Sequence, residues 1–417
     1  MYVNRMNIFK QSVVLVKGSL ISQILALFFL PILSRFYSPE EFGLLASFFS
    51  VVSILVVFAT CKFESAIFLT KSEKELSALL RLICYMLIFF FIGILILGLI
   101  GSIFFADYID LNNEKLYYLI PFAVVINALF IVITNLLNKR GMYFEIANSR
   151  IIQSSSSNIM SLIMFFLLSP IGLILGRITG LLAGLFYLIK SSKKIQVKKV
   201  SAKKYPISAV FYRYINFLKY STVSSALNIG SNYSLPLMLA LYFDYRIAGL
   251  YFMASKVVRI PISLVVGSIA KVFHKEAVEA YQNRANLLLI VRDTQLKIFV
   301  SLALVMILVS IISPFLFGLL LGENWMKAGE IIKYIAVLVV VRNTVSTTLM
   351  IFDIFNKQHI LLFFNIIMIS SQLFILTLSK YLLNFETTIL CISLLSSLVY
   401  LSANKLMYQM IKKYENS

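Results

Sequence analysis

Charge is what this sequence has least of. Lys, Arg, Asp and Glu make up 13% of its 417 residues, while 60% are hydrophobic. A soluble chain of this size carries about 25% charged residues, so a large water-soluble domain is excluded. Acids are scarcest, with 18 Asp and Glu against 38 Lys and Arg. Histidine occurs twice, as His274 and His359. The three cysteines, Cys61, Cys84 and Cys391, lie far apart, each inside an apolar run. That spacing excludes a disulfide framework and a cysteine metal site, and no other metal ligand set is visible. Also missing are GxSxG, Walker, HExxH and paired carboxylates at depth, so the residues point to no catalytic site and no ATP hydrolysis by the chain itself.

What is present is apolar sequence in runs near the length that crosses a hydrocarbon core of about 30 Å. About twelve spans are expected, near 13–36, 43–68, 79–104, 117–137, 152–169, 171–190, 220–242, 248–272, 298–321, 331–353, 360–380 and 387–408. The first run is too long for a signal peptide and is read as a retained helix. The chain is thus expected to be an all-α, multi-pass membrane protein whose partner is the lipid bilayer.

Basic residues set the orientation. With a cytoplasmic N-terminus, inner segments collect most of the Lys and Arg, including Lys71, Lys74, Lys139, Arg140, Lys412 and Lys413. Outer turns keep Arg35, Lys115, Arg246, Lys327 and Lys380, with acids such as Glu40, Glu41, Asp107, Asp110, Glu114 and Asp244. Both termini are therefore expected inside. The net charge of +20 follows from topology and the anionic inner leaflet, and no nucleic-acid partner is expected.

The segment Lys190–Lys219 contains no acid. It divides the chain into a six-helix lobe, 1–190, a basic cytoplasmic linker, 191–219, and a second six-helix lobe, 220–417. From Tyr205 the linker is aromatic and basic, which suits either a membrane surface or solvent. The lobes repeat. LPILSRFYSPEEFG, from Leu30 to Gly43, aligns with LPLMLALYFDYRIAG, from Leu235 to Gly249. An even number of spans per lobe makes this a parallel pseudo-symmetric repeat, a plan that sets a transporter site between lobes.

Four bases fall deep within spans: Arg177, Lys256, Arg259 and Arg342. A charge at that depth costs about 2.5–3.5 kcal/mol on insertion scales and is a functional candidate by default. Two readings stand: the bases pair with carboxylates between helices, or they line a cationic cavity for an anionic substrate. Lys17, Lys62 and Lys333 lie near span ends, where long stems reach the surface. Asn228 and Asn232 share a face with Ser221 and Ser225, Ser346 shares one with Arg342, and Asn365 shares one with Gln372. Such stripes suit cavity lining or helix-to-helix hydrogen bonds. Gly172, Gly176, Gly180 and Gly184 form a close-packing face. Glu64 and Asp353 are the carboxylates nearest membrane depth.

Several fragments carry a family resemblance: PILSRFYSPEEFGLLASF (31–48), KFESAIFL (62–69), NKRGMYFEIANSRIIQ (138–153), GLILGRITGLLAG (172–184), AGLYFMASKVVRIPISLVVGSIAKVF (248–273) and LGENWMKAGEII (321–332). In this order they cover nearly the whole chain. The sequence resembles the polysaccharide flippases of the MATE-like (multidrug/oligosaccharidyl-lipid/polysaccharide) superfamily, the O-antigen type in particular. The resemblance implies twelve helices in two lobes around a central cavity, in a bacterial cytoplasmic (inner) membrane. It implies transfer of an undecaprenyl-pyrophosphate-linked anionic oligosaccharide to the outer leaflet, for lipopolysaccharide or a similar surface polysaccharide. It further implies no cofactor, coupling to a proton or sodium gradient through Glu64 or Asp353, and work alongside other polysaccharide assembly proteins. The competing readings are a MATE-like exporter of another lipid or a drug, and a membrane polysaccharide polymerase or ligase. A cation-drug exporter would show cavity acids, and a polymerase a large outer loop.

Overall fold

The computed structural model describes residues 5–104, 116, 118–168, 170–193, 205–283, 286–355 and 357–415. The expected outer turn with Asp107, Asp110, Glu114 and Lys115, and linker residues 194–204, lie outside the described residues. Among the described residues there is no strand. The helices are α1 (Arg5–Phe36), α2 (Pro39–Thr60), α3 (Phe63–Ala66), α4 (Glu73–Phe104), α5 (Leu119–Lys139), α6 (Tyr143–Leu168), α7 (Gly172–Ser192) and α8 (Ile207–Arg213). They continue as α9 (Thr222–Tyr233), α10 (Leu235–Tyr242), α11 (Tyr245–Gln282), α12 (Leu287–Leu321), α13 (Met326–Thr348), α14 (Ile351–Ile354), α15 (Gln358–Leu382) and α16 (Phe385–Glu415).

Ten helices among the described residues are long and apolar enough to cross a membrane. Two expected spans fall outside that set. The span 220–242 is discontinuous: a π turn, Phe217–Ser221, leads into α9, and Ser234 separates α9 from α10. Pro236 has no N–H to continue the ladder, so a new helix starts at Leu235 with proline in its first turn. Ser221 therefore sits in the π turn, and the polar stripe expected from Ser221 to Asn232 is not one regular helical face. The other, α11, is 38 residues long and carries Arg246, Lys256 and Arg259.

The chain forms two units, Met1–Tyr37 with Phe48–Ile229, and Ser38–Ser47 with Gly230–Ser417. The division places residue 229 at the boundary and gives the first turns of α2 to the second unit.

In unit 1, α7 packs on α6 through its glycine stripe, as the four-residue spacing implies. A Cβ on Gly180 would lie 2.6 Å from both Gln153 O and Ser157 Cβ, and one on Gly184 would lie 3.0 Å from Phe130 Cε2. Only backbone-thin residues allow this approach. Tyr37 donates from its hydroxyl to Ser161 O on α6 at 2.6 Å. The second part of the linker folds onto α4. Glu75 is 2% exposed and accepts from Lys71 N at 2.9 Å and Tyr214 OH at 2.8 Å, with Arg213 Nη1 at 3.0 Å. Arg81 donates to Tyr205 O at 3.3 Å.

In unit 2, two helix starts meet. Ser38 and Glu41 form a capping box on α2: Ser38 N donates to Glu41 Oε2 at 2.7 Å, and Glu41 N to Ser38 Oγ at 3.4 Å. Asp244 caps α11 by accepting from Ile247 N at 2.6 Å. The repeat-related glycines then clasp each other's helix. A Cβ on Gly43 would lie 2.7 Å from the carbonyl carbon of Tyr245, and one on Gly249 would lie 2.7 Å from that of Pro39. Each glycine thus touches the residue four positions before its counterpart, the reciprocal contact of a two-fold relation. Arg246 Nε lies 3.6 Å from Glu40 Oε1. Phe42 meets Trp325 edge to face, with centroids 5.2 Å apart, and both are 1% exposed. At the opposite end of unit 2, Phe273, Leu287, Val291, Phe352, Met407 and Ile411 form a buried core.

Candidate functional site

Helix α7 presents Arg177 on the side its glycines leave uncovered. One residue past Gly176 is a turn of about 100°, which takes Arg177 off the packed face, and its side chain is exposed. Its guanidinium carbon lies 5.9 Å from the ring centroid of Phe49 on α2. No ion pair reaches it among the described residues.

The other deep cations belong to unit 2. Lys256 and Arg259 stand three residues apart on α11, about 4.5 Å along the axis. Lys256 Nζ is 5.7 Å from the Phe252 centroid, and Arg259 Cζ is 5.3 Å from that of Tyr233, the last residue of α9. Arg342 is half-buried on α13, which packs against α11. Neither Arg259 nor Arg342 has a carboxylate partner among the described residues.

The far side of α13 has the opposite character. Phe299, Met306, Ile307 and Ile311 of α12 and Val337 and Val340 of α13 line a groove of about 420 Å³. Ser310 also lines it but donates its hydroxyl to Met306 O at 2.6 Å, so the groove stays apolar. At about 100° per residue, Arg342 points away from the Val337–Val341 face. Helix α13 therefore separates an apolar side from a cationic one.

The polar candidates scatter more. Ser346 is exposed one turn beyond Arg342. Asn365 on α15 accepts from Ser231 at 3.4 Å. Asn232 is half-buried beside that contact, and Asn228 is exposed within unit 1. Glu64 is buried at 4% exposure. Its Oε1 lies 3.5 Å from Lys62 Nζ, while Oε2 has no hydrogen-bond partner. Asp353 is exposed on the short α14, where the chain turns from α13 to α15. No group of three or more His, Cys, Asp or Glu among the described residues could hold a metal ion.

Two features escaped the sequence reading. The rings under Arg177 and Arg259 come from other helices, so only the fold pairs them. The Glu75 cluster did have a signal, the S-x-x-E pattern of Ser72 and Glu75. Burial, together with the Glu75 hydrogen bond and charge, pushes the Tyr214 hydroxyl up to about 12.

Apolar helices in two units, with deep arginines that have no carboxylate partner among the described residues, make this a polytopic membrane protein. The fold is similar to that of a lipid II flippase MurJ in an inward closed conformation, with TM-score 0.71 and 16% identity, covering 97% of this chain and 90% of that one. It is also similar to an inward-facing multidrug resistance MATE family transporter of the MOP superfamily, with TM-score 0.65 and 14% identity over 95% and 96%. A mutant of the Vibrio cholerae MATE transporter VcmN matches with TM-score 0.55 and 13% identity over 99% and 97%. A comparison with curated proteins finds no match. Residues 32–330 match the family described as polysaccharide biosynthesis protein, and the chain belongs to that family.

Proposed function

We propose that this protein flips a lipid-linked oligosaccharide, carried on a polyprenyl pyrophosphate, from the cytoplasmic to the outer leaflet of a bacterial inner membrane. Membership of a polysaccharide biosynthesis family supports a saccharide-bearing substrate. The carrying observation is that Arg177 and Arg342, in helices apolar enough to cross a membrane, and Arg259, on the long α11, have no carboxylate partner among the described residues. Cations held at that depth without neutralisation suit an anionic headgroup. The same sign of charge disfavours a cationic drug as cargo.

In this reading twelve spans arise once the broken α9–α10 and the long α11 are counted, and both termini face the cytoplasm. Transport proceeds by alternating access, without catalysis by the chain. Glu64, buried with one oxygen unpartnered, is the stronger candidate for coupling to a proton or sodium gradient, and the exposed Asp353 the weaker. O-antigen is the proposed pathway.

The test is a deletion strain complemented with Arg259→Gln or Arg342→Gln. Either variant is expected to reach the membrane in normal amount yet fail to restore surface polysaccharide, with lipid-linked repeat units accumulating on the cytoplasmic side. Wild-type surface polysaccharide from both variants would overturn the proposal. Normal flipping with a chain-length or ligation defect would favour a polymerase or ligase instead.

A further inference from the structure

We propose that Tyr233 and Phe252 in unit 2, and Phe49 in unit 1, are aromatic seats for the substrate-binding cations of their own unit, and that Tyr233 in particular positions Arg259 to take a diphosphate. This rests on the transporter reading above and names residues that reading does not use. Arg177 lies 5.9 Å from the Phe49 centroid, Lys256 lies 5.7 Å from Phe252, and Arg259 lies 5.3 Å from Tyr233. All fall within the roughly 6 Å over which a ring attracts a cation.

The choice of partner matters chemically. A carboxylate would hold a deep arginine in place but cancel its charge. A ring face attracts the cation through its quadrupole and leaves the full charge for a ligand. Arg177 and Arg259 have the ring and no carboxylate among the described residues. The contrast lies within the same molecule. Arg213 also lies over a ring, that of Tyr214, but is paired with Glu75 at 3.0 Å. Lys333 lies over Tyr334, whose hydroxyl donates to Glu386 at 2.9 Å. Of the three deep arginines, Arg177 and Arg259 have a ring and no carboxylate among the described residues.

Tyr233 is the seat that the fold takes most trouble to place. It ends α9 immediately before the interruption at Ser234, so the break in that helix fixes where the ring lies. Its side chain is 44% exposed, which leaves ring surface beside Arg259 for the ligand. The hydroxyl has no hydrogen bond among the described residues, so the ring rather than the oxygen carries the role. A lipid diphosphate carries more negative charge and more acceptor oxygens than a lipid monophosphate, so it gains more from arginines whose charge is intact.

The experiment uses the full chain in lipid nanodiscs, with farnesyl pyrophosphate as the probe and farnesyl monophosphate and inorganic pyrophosphate as comparators. Wild-type protein is expected to prefer the lipid diphosphate to both comparators. Tyr233→Phe should bind within about twofold of wild type, whereas Tyr233→Leu should bind about tenfold more weakly, a change of about 1.4 kcal/mol. Phenylalanines bearing one, two and three fluorines at position 233 should weaken binding stepwise, because fluorine drains the ring quadrupole while nearly keeping its shape. A merely structural ring would show no such series. Should Tyr233→Leu fail to fold, Phe49→Leu with fluorinated rings at position 49 repeats the test at Arg177. A flat fluorine series, with Arg259→Gln still losing diphosphate binding, overturns the aromatic seats and leaves the transporter reading standing. Wild-type binding by Arg259→Gln overturns both.

Discussion

Cys61 and Lys62 both take left-handed backbone, with φ of 45° and 58°, a conformation that costs a non-glycine residue about 1 kcal/mol or more. They end α2 sharply and deliver Glu64 into a buried position. Burial first, and the Glu64 charge second, push the Cys61 thiol from 9.0 up to about 11. A raised value means less thiolate at any given pH below it, so at pH 8 alkylation should run about 100-fold slower than for a thiol of ordinary pKa. Iodoacetamide labelling followed by peptide mass spectrometry checks this, and Glu64→Gln should speed the reaction by removing the neighbouring charge. A second residue-scale expectation concerns Tyr214, which donates to the buried Glu75. Tyr214→Phe should cost about 1–2 kcal/mol of local stability, read as faster hydrogen exchange across residues 205–217. At this scale the sequence was legible wherever a residue conflicts with its surroundings. Arg177, Lys256, Arg259 and Arg342 stand out as charges in apolar runs. Phe49 and Tyr233 did not, because an aromatic residue in a membrane helix is unexceptional until its neighbour is known.

Among elements, α7 is the clearest case of sequence dictating packing. Its four-residue glycine period implied a thin face, and α6 lies on that face. Gly180→Leu should therefore force the pair apart and cost about 1–3 kcal/mol, measured by thermal unfolding in detergent. Gly93→Ala on α4 is the control: nothing lies within 4 Å of its Cβ position, and the gain in helix propensity should leave stability level or raise it by about 0.5–1 kcal/mol. The seventh span shows the opposite lesson. Its apolar run reads as continuous, yet α9 and α10 are separate helices. Pro236 marked a place where a ladder bond must be lost, but proline in a membrane helix is compatible with a kink as well as a break. The early end of α2 was hidden too, since neither Cys nor Lys signals left-handed backbone.

For the molecule as a whole, the repeat inferred from Leu-Pro and glycine spacing has a physical counterpart. Gly43 and Gly249 each accept the other's helix at backbone contact. Gly43→Ala or Gly249→Ala alone should abolish that approach and reduce the proposed transport while the protein still reaches the membrane. The double variant should cost well under the sum of the singles, because the first substitution already separates the backbones. A double-mutant cycle on transport and unfolding would show this, and additive losses would mean that the two sites act apart.

The same region holds the chain's one tryptophan, Trp325, sealed against Phe42 at 1% exposure. Its ultraviolet emission therefore originates at a single point and should lie to the blue. Loosening the first turn of α2 would wet the indole and redden that signal, so an unlabelled sample in a cuvette can report the state of this junction in real time.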